Sequence, residues 1–384
     1  MIPYGKQEIT QGDINSVIEV LKSDLITQGP AVPRFEKSIT DHCDVEYAVA
    51  ANSATSALHI ACLALGLRSG DWLWTSPNTF VASSNCGLYC GAQVDFVDID
   101  PRTYNMSAEL LQQKLEKAES EGKLPKVIIP VHFAGQSCDM KAINALAEKY
   151  KFKIIEDASH AIGGRYLDQP IGNCKYSDIT VFSFHPVKII TTGEGGMATT
   201  NDKSLADKMV RLRSHGVTRD PEYMSSEHDE PWYYEQIELG LNYRMTDIQA
   251  ALGFSQMQRL GAYVESRHKL RKQYDELLET VPVTTPWQSP DSYSALHLYP
   301  IQIDNTVASE RREIFENLRE AGIGVNVHYI PVHTQPYYQN MGFKEADFPN
   351  AMEYYKSAIS LPMFSGLSDE QQLEVISVLK KILQ

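Results

Sequence analysis

Basic residues are in short supply: 35 lysines and arginines stand against 49 aspartates and glutamates, a formal net charge of −14 with histidine neutral. A chain this acidic lacks the positive surface that DNA, RNA or an anionic membrane would need. A few local donors can still hold a small anion. Long apolar runs are missing too. VIIPVHFA (127–134) is about the longest; it falls well short of the ~18 residues of a membrane span and reads as a buried strand. The opening MIPYGKQEITQGD puts Lys6, Glu8 and Asp13 where a secretory signal would need an apolar centre. Cysteine is sparse, with six residues (43, 62, 86, 90, 138, 174) and neither a CxxC pair nor a metal-site spacing. Cys86 and Cys90 read as helix packing, and all six are expected to be reduced thiols in a cytoplasmic protein. No metal site is expected. No G-x-G-x-x-G follows a strand, because Gly322-Ile-Gly324 runs on into Val-Asn-Val. GxxxxGK[ST], HExxH and GxSxG are absent as well, which sets aside dinucleotide oxidoreduction, P-loop hydrolysis and zinc proteolysis.

With 43% hydrophobic and 22% charged residues, the composition is that of an ordinary globular protein. Its 384 residues leave room for roughly two or three domains, or one large α/β unit. Thr10 or Gln11 opens a segment with Ile14, Val17, Ile18 and Leu21 at amphipathic-helix spacing, and Gln28-Gly29-Pro30 breaks the chain. The clearest unit spans 126–157. Strand-like KVIIPVHF precedes a helix with Met140, Ile143, Leu146, Ala147 and Tyr150 on one face, and then comes FKIIEDASH. Strand, helix, strand at this spacing predicts a parallel, right-handed crossover. DITVFSFH (178–185) and GMATT (196–200) extend the sheet, with helices expected on both sides. Beyond about residue 255 the texture changes: a charged helix near 259–280, LHLYPIQI (296–303), a helix near 308–320, GIGVNVHY (322–329) and a last helix. Ser368-Asp-Glu-Gln371 reads as its capping box, with Leu373, Ile376 and Leu379 to be buried. The division expected is a large α/β domain, 1–255, and a smaller α+β domain, 256–384.

One lysine stands in an unusual setting. Lys188 lies among Val187, Ile189 and Ile190, past a strand end, with the glycine-rich Thr-Gly-Glu-Gly-Gly196 behind it. A lysine acts as a covalent catalyst only when it is neutral part of the time, and burial lowers its pKa to that end. The plain alternative is a surface lysine with core neighbours. Asp157 ends FKIIED at the strand edge where parallel sheets bind ligands, and a charge there must be partnered or used. Pyridoxal phosphate (PLP) enzymes need such a pair: a lysine that joins the cofactor and an acid that keeps its ring nitrogen protonated. Asp157 could instead cap Ala158-Ser159-His160. Asn52-Ser-Ala-Thr-Ser-Ala57 precedes a helix-like run and offers N–H groups and hydroxyls to a phosphate, or merely a cap. Phe80 reads more readily as core, and His160 as a satisfied buried histidine.

Taken in order, NSATSALH, TSPNTFVAS, EDASHAIGG, VFSFHPVKIITTGEGG, RSHG (213–216) and LNYRMTDIQAALG (241–253) resemble the DegT/DnrJ/EryC1/StrS family of sugar aminotransferases along essentially the whole chain. The resemblance implies the aspartate aminotransferase-like fold (PLP fold type I), with a large mixed or parallel sheet domain and a smaller C-terminal α+β domain. It also implies a homodimer with shared active sites, and PLP as cofactor with pyridoxamine phosphate (PMP) as its amine form. By that match Lys188 is the Schiff-base lysine and the proton carrier, and Asp157 partners the pyridine nitrogen. Phe80 stacks on the ring and His160 sits near its phenolic oxygen. Ala54, Thr55 and Ser183 hold the phosphate, and Asn242 reaches the other subunit's cofactor. Some members are dehydratases with histidine at this lysine; Lys188 favours transamination. A non-catalytic PLP-binding regulator would need a nucleic-acid-binding segment, and no basic stretch supplies one.

Within the family the likeness leans to members that aminate UDP-linked 4-keto-6-deoxy-N-acetyl-hexosamines for pseudaminic acid, with L-glutamate as donor. Tyr4, SDLITQGP (23–30) and NVHYIPVH (326–333) carry it. By that likeness Tyr4, Asp24, Leu25, Ile26, Thr27, Asn326, Val327, His328 and Tyr329 line the sugar-nucleotide site. Arg213, Arg219 and His328 are candidates for the diphosphate.

Overall fold

The computed structural model describes residues 1–225, 230–304 and 311–383. Short apolar runs form a central seven-stranded sheet: β1 (Tyr47–Ala51), β2 (Trp72–Thr75), β3 (Gln93–Phe96), β4 (Val127–Ile129), β5 (Lys153–Asp157), β6 (Ile179–Ser183) and β7 (Gly196–Thr200). Their order across the sheet is β1-β7-β6-β5-β4-β2-β3. Every residue of β6 and β7 is buried, as befits strands covered on both faces.

The crossover read from 126–157 is present. β4 pairs parallel with β5, and Met140–Tyr150 is the helix between them, burying Met140, Ile143, Ala147 and Tyr150. The sheet is mixed, because β7 runs antiparallel to both β1 and β6. The link 184–195 contains no helix, and without one the chain folds back instead of crossing over. Alternation along β1 divides the core. Val49 and Ala51 pack with Leu58 and Ile60, while Ala50 packs with Phe35, Ile39, Tyr263 and Val264 on the other face.

A three-stranded antiparallel sheet, Val283–Thr284, Tyr299–Ile303 and Ala358–Leu361, packs against the long helix Leu260–Leu278 and the last helix, Asp369–Leu383. Ile2 joins this apolar cluster and bridges Ile323. Packing also crosses residue 255, since Val332, Tyr338 and Tyr354 belong to the cluster under the main sheet. The helix expected near 308–320 is observed as Arg311–Glu320; positions 308–310 lie outside the described residues.

Two helix faces differ from expectation. Ser368 does cap the last helix, accepting from Gln371 N–H at 3.2 Å. Leu373, however, is 49% exposed, because the inward stripe is Gln372, Val375, Ile376 and Leu379. In Gln11–Leu21 the apolar residues Ile14, Ile18 and Leu21 are exposed, and the buried residue is Asp13. Both Asp13 oxygens accept from Arg259 Nη2, at 2.8 and 2.7 Å. That ion pair, not apolar burial, ties the helix down within one chain. No described helix is long and apolar enough to cross a membrane.

Candidate active site

Strand register assembles the site at one sheet edge. Gly196 pairs with Ala51 on one side and Ser183 on the other, while Asp157 is opposite Val181 on the next strand. Two residues past Ala51, Ser53 caps the helix Ala54–Ala64, accepting from Ser56 N–H at 3.1 Å. The N–H groups of Ala54 and Thr55 in its first turn have no acceptor among the described hydrogen bonds. Exposed first-turn donors and the helix dipole suit a phosphate. Gly196 makes the close approach possible: a Cβ there would lie 2.4 Å from Ser53 O and 2.5 Å from Ala54 N.

Lys188 stands in the turn after β6, its N–H bonded to His185 O at 2.9 Å. Burial lowers its pKa to about 8 despite the opposing charge of Asp157. A sizeable neutral fraction near neutral pH is what a nucleophilic lysine requires. Asp157, 5% exposed, accepts from Ser83 Oγ at 2.7 Å and from Ser159 N–H at 3.1 Å. The Ser159 bond realises the turn-capping alternative, and the Ser83 bond anchors the other carboxylate oxygen. Ser83 lies in the helix Ala82–Tyr89; nothing in its local sequence singles it out.

Aromatic rings close around this pair. Phe80 is 60% exposed, so within one chain it is a surface residue and not core. Its ring centroid lies 6.4 Å from that of Tyr329, whose hydroxyl is 3.0 Å from His160 Nε2. Tyr4 packs on His328, with centroids 5.5 Å apart, and hydrogen-bonds Asn326. Val327 N–H donates to Asn326 Oδ1 at 2.8 Å. His328 Nδ1 lies 2.9 Å from Ser360 Oγ. Burial, then the Lys188 charge, pushes the His328 pKa down to about 3, so the ring carries no positive charge for a diphosphate.

Other candidates lie elsewhere. Asp24, Leu25, Ile26 and Thr27 form an exposed turn tied to Thr246 by a bridge and to Asp247 N–H through Ile26 O at 3.0 Å. Asn242 is exposed, and its carbonyl accepts from Asn52 Nδ2 at 3.5 Å, beside the loop leading to Ala54. Arg213 is already engaged: its Nη1 donates to Glu36 Oε1 and to Ala50 O, each at 2.6 Å. Its charge therefore serves the fold. Arg219 is exposed. Three participants escaped sequence reasoning beside Ser83. His297 lies 4.4 Å from His160, ring to ring. Arg267 is buried, and Ala134 N–H donates to His160 Nδ1 at 3.3 Å.

The residues fit PLP. Open helix-terminal donors would hold its phosphate, the partly neutral buried Lys188 would join its carbonyl, and Asp157, with no ion-pair partner among the described residues, would face its ring nitrogen. When bound, the cofactor supplies an electron sink. Sheet, edge and lysine–carboxylate pair together define an aspartate aminotransferase-like PLP protein. The chain belongs to the DegT/DnrJ/EryC1/StrS aminotransferase family, whose pattern it matches over residues 7–380. Spore coat polysaccharide biosynthesis protein SpsC of Bacillus subtilis is 40% identical, covering 100% of this chain and 97% of the relative. A UDP-4-amino-4,6-dideoxy-N-acetyl-beta-L-altrosamine transaminase of Campylobacter jejuni is 36% identical, covering 100% and 98%. Spr1654 of Streptococcus pneumoniae, solved in a PLP form, superposes with a TM-score of 0.90 at 30% identity, covering 100% and 98%; its PMP form gives 0.91 over 100% and 99%. The protein is a sugar aminotransferase that works through PLP and PMP.

Proposed function

We propose that the enzyme transfers the amino group of L-glutamate to C4 of a UDP-linked 4-keto-6-deoxy-N-acetyl-hexosamine, giving a UDP-4-amino sugar for pseudaminic acid-type biosynthesis. The observation that carries this reading is the clustering of Tyr4, Asn326, His328 and Tyr329 with one another and with His160, within reach of the Lys188 charge. These are the residues named by the likeness to the altrosamine transaminases, one of which is 36% identical over the whole chain. Lys188 moves the proton as general base and then acid. Asp157 holds the cofactor ring nitrogen, Phe80 covers the ring and His160 lies near its phenolic oxygen. Ala54, Thr55 and Ser183 cradle the phosphate. The exposed turn Asp24–Thr27 contributes to the sugar-nucleotide site.

The working form is a homodimer in the cytoplasm, with Asn242 crossing to the partner's phosphate. The exposed Asn242 and the uncovered Ile14, Ile18 and Leu21 support it, and six free cysteines suit a reducing compartment. A different nucleotide-linked 4-keto sugar is the second reading, because the identity to the altrosamine transaminase, 36%, is no higher than the 40% to the spore-coat protein.

The test is a panel of UDP-, dTDP- and GDP-linked 4-keto sugars offered to the PMP-loaded enzyme. The expected outcome is at least tenfold preference for the UDP-N-acetyl sugar, about 1.4 kcal/mol of discrimination. Equal or better turnover of a dTDP or GDP sugar would reject that acceptor. Lys188→Ala should show no turnover with any of them. Mixing inactive Lys188→Ala and Asn242→Ala chains should restore part of the activity, because one site of a mixed dimer is intact. No recovery in demonstrably mixed dimers would refute the crossing.

A further inference from the structure

Two residues with side chains adopt left-handed backbone beside His160. Ala134 has φ 56° and Leu296 has φ 51°, a conformation that costs roughly 1–2 kcal/mol without glycine. Both are held from outside. Arg267, 2% exposed, donates through Nη1 to Leu296 O at 3.1 Å, His297 O at 3.2 Å and Met363 O at 3.0 Å. Leu298 N–H donates to Ala134 O at 3.4 Å. Strain maintained this way beside a reaction centre calls for a functional reason.

The reason lies in the protons of His160. Ala134 N–H donates to Nδ1 at 3.3 Å, and a backbone N–H can only donate, so Nδ1 presents a lone pair. His160 is neutral, since burial and then the Lys188 charge hold its pKa well below the usual value. In a neutral imidazole the proton then resides on Nε2, which faces Tyr329 Oη at 3.0 Å. His297, packed 4.4 Å from the ring, restrains it from turning over. The Tyr329 oxygen therefore accepts from His160, and its own proton points away. No other described hydrogen bond uses that proton.

We infer that Tyr329 is a hydrogen-bond donor directed at the carbonyl oxygen of the keto compound reacting beside Lys188, with its proton's direction set by Ala134 through His160. The inference rests on the aminotransferase reading and adds the group that polarises the ketone. Phe80 and Tyr329 pack ring to ring, and the Asp157 charge reaches both the Tyr329 hydroxyl and Lys188, so a ketone reacting at Lys188 meets that hydroxyl. Tyr329 keeps its proton: burial, then the Asp157 charge, raises its pKa. It stabilises charge building on oxygen as amine adds to the carbonyl, and the same bond serves in reverse when a ketone leaves.

The experiment is a single turnover of PMP-loaded protein with 2-oxoglutarate, followed by absorbance. Tyr329→Phe should react about 100-fold more slowly at saturation, as for the loss of one oxyanion donor, with the half-saturating concentration little changed. His160→Gln retains an amide N–H toward Tyr329 and a carbonyl for Ala134 N–H, and should stay within about tenfold of wild type; His160→Leu should fall further. Nitrogen-15 NMR of the Tyr329→Phe protein should still find the His160 proton on Nε2. Wild-type speed in Tyr329→Phe, or a proton on Nδ1, would overturn the inference. A wild-type protein whose PMP form is inert to every ketone would instead strike at the aminotransferase reading.

Discussion

Glu156 and Asp157 are neighbours on one strand, 6% and 5% exposed, yet they do opposite work. Alternation sends their side chains to opposite faces of the sheet. Glu156 is fully engaged: its Oε2 meets His132 Nε2 at 2.6 Å, and Ser177 and Thr180 donate to Oε1. Asp157 also accepts three hydrogen bonds, from Ser83 Oγ on one oxygen and from Ser159 N–H and Oγ on the other, and none of these donors is titratable. Its nearest influence on a cation is the upward pull it exerts on the Lys188 pKa. The carboxylate bonded to an ionisable side chain belongs to the fold; the one on the next residue, bonded only to neutral donors, is left to balance a positive charge at the site.

The contrast can be broken by substitution. Asp157→Asn should cut kcat by roughly 10²–10⁴, in the range of acid–base and electrostatic losses, and leave the melting temperature close to wild type. Glu156→Gln should do the reverse, costing roughly 1–3 kcal/mol of stability with kcat changed little. A swap of these two outcomes in steady-state kinetics and thermal melts would refute the assignment.

Proton linkage sharpens the same comparison. Burial acts to raise the Glu156 carboxyl, but the bonds from His132, Ser177 and Thr180 and the His132 charge outweigh it, so the folded pKa lies below the ordinary 4.5. A depressed carboxyl stabilises the fold above its unfolded pKa and loses that contribution as pH falls through the folded value. The acid limb of the stability curve, below about pH 4.5, should therefore flatten in Glu156→Gln. Lys188 reports on the other face: the rate at which apoprotein captures PLP should climb with pH and level off above about 8. A rate flat from pH 6 to 9 would contradict a lysine that must shed its proton. The smallest effect is expected from Ser83→Ala, roughly a tenfold loss in kcat from about 1.4 kcal/mol of a bond to a charged group. Unchanged kcat would show that Ser159 alone positions the carboxylate.

Much of this was legible in the sequence, and what was not has physical reasons. Lys188 and Asp157 announce themselves because each puts charge beside a strand end among apolar neighbours. The crossover at 126–157 declares itself by spacing. A mixed or parallel sheet was expected with no direction assigned to β7, and the helix-free link 184–195 explains why it runs antiparallel. Leu373 was misplaced because periodicity fixes a helix's repeat better than its phase: Gln372, a polar residue, takes the inward position by donating to Leu270 O at 2.7 Å. Ser83, His297 and Arg267 act through partners far along the chain. Ala134 contributes only a backbone N–H, which no residue type advertises.

The first few residues carry a practical consequence for anyone handling the protein. Ile2 is bonded into the segment 322–324 on both sides, Tyr4 O accepts from Met363 N–H at 2.9 Å while its ring covers His328, and Gly5 lies against Val187, the residue before Lys188. A change that displaces residues 2–5 would reach the lysine's own turn. Purification strategy should therefore place an affinity tag at the other end of the chain, so that residues 2–5 keep these contacts when kinetics are measured.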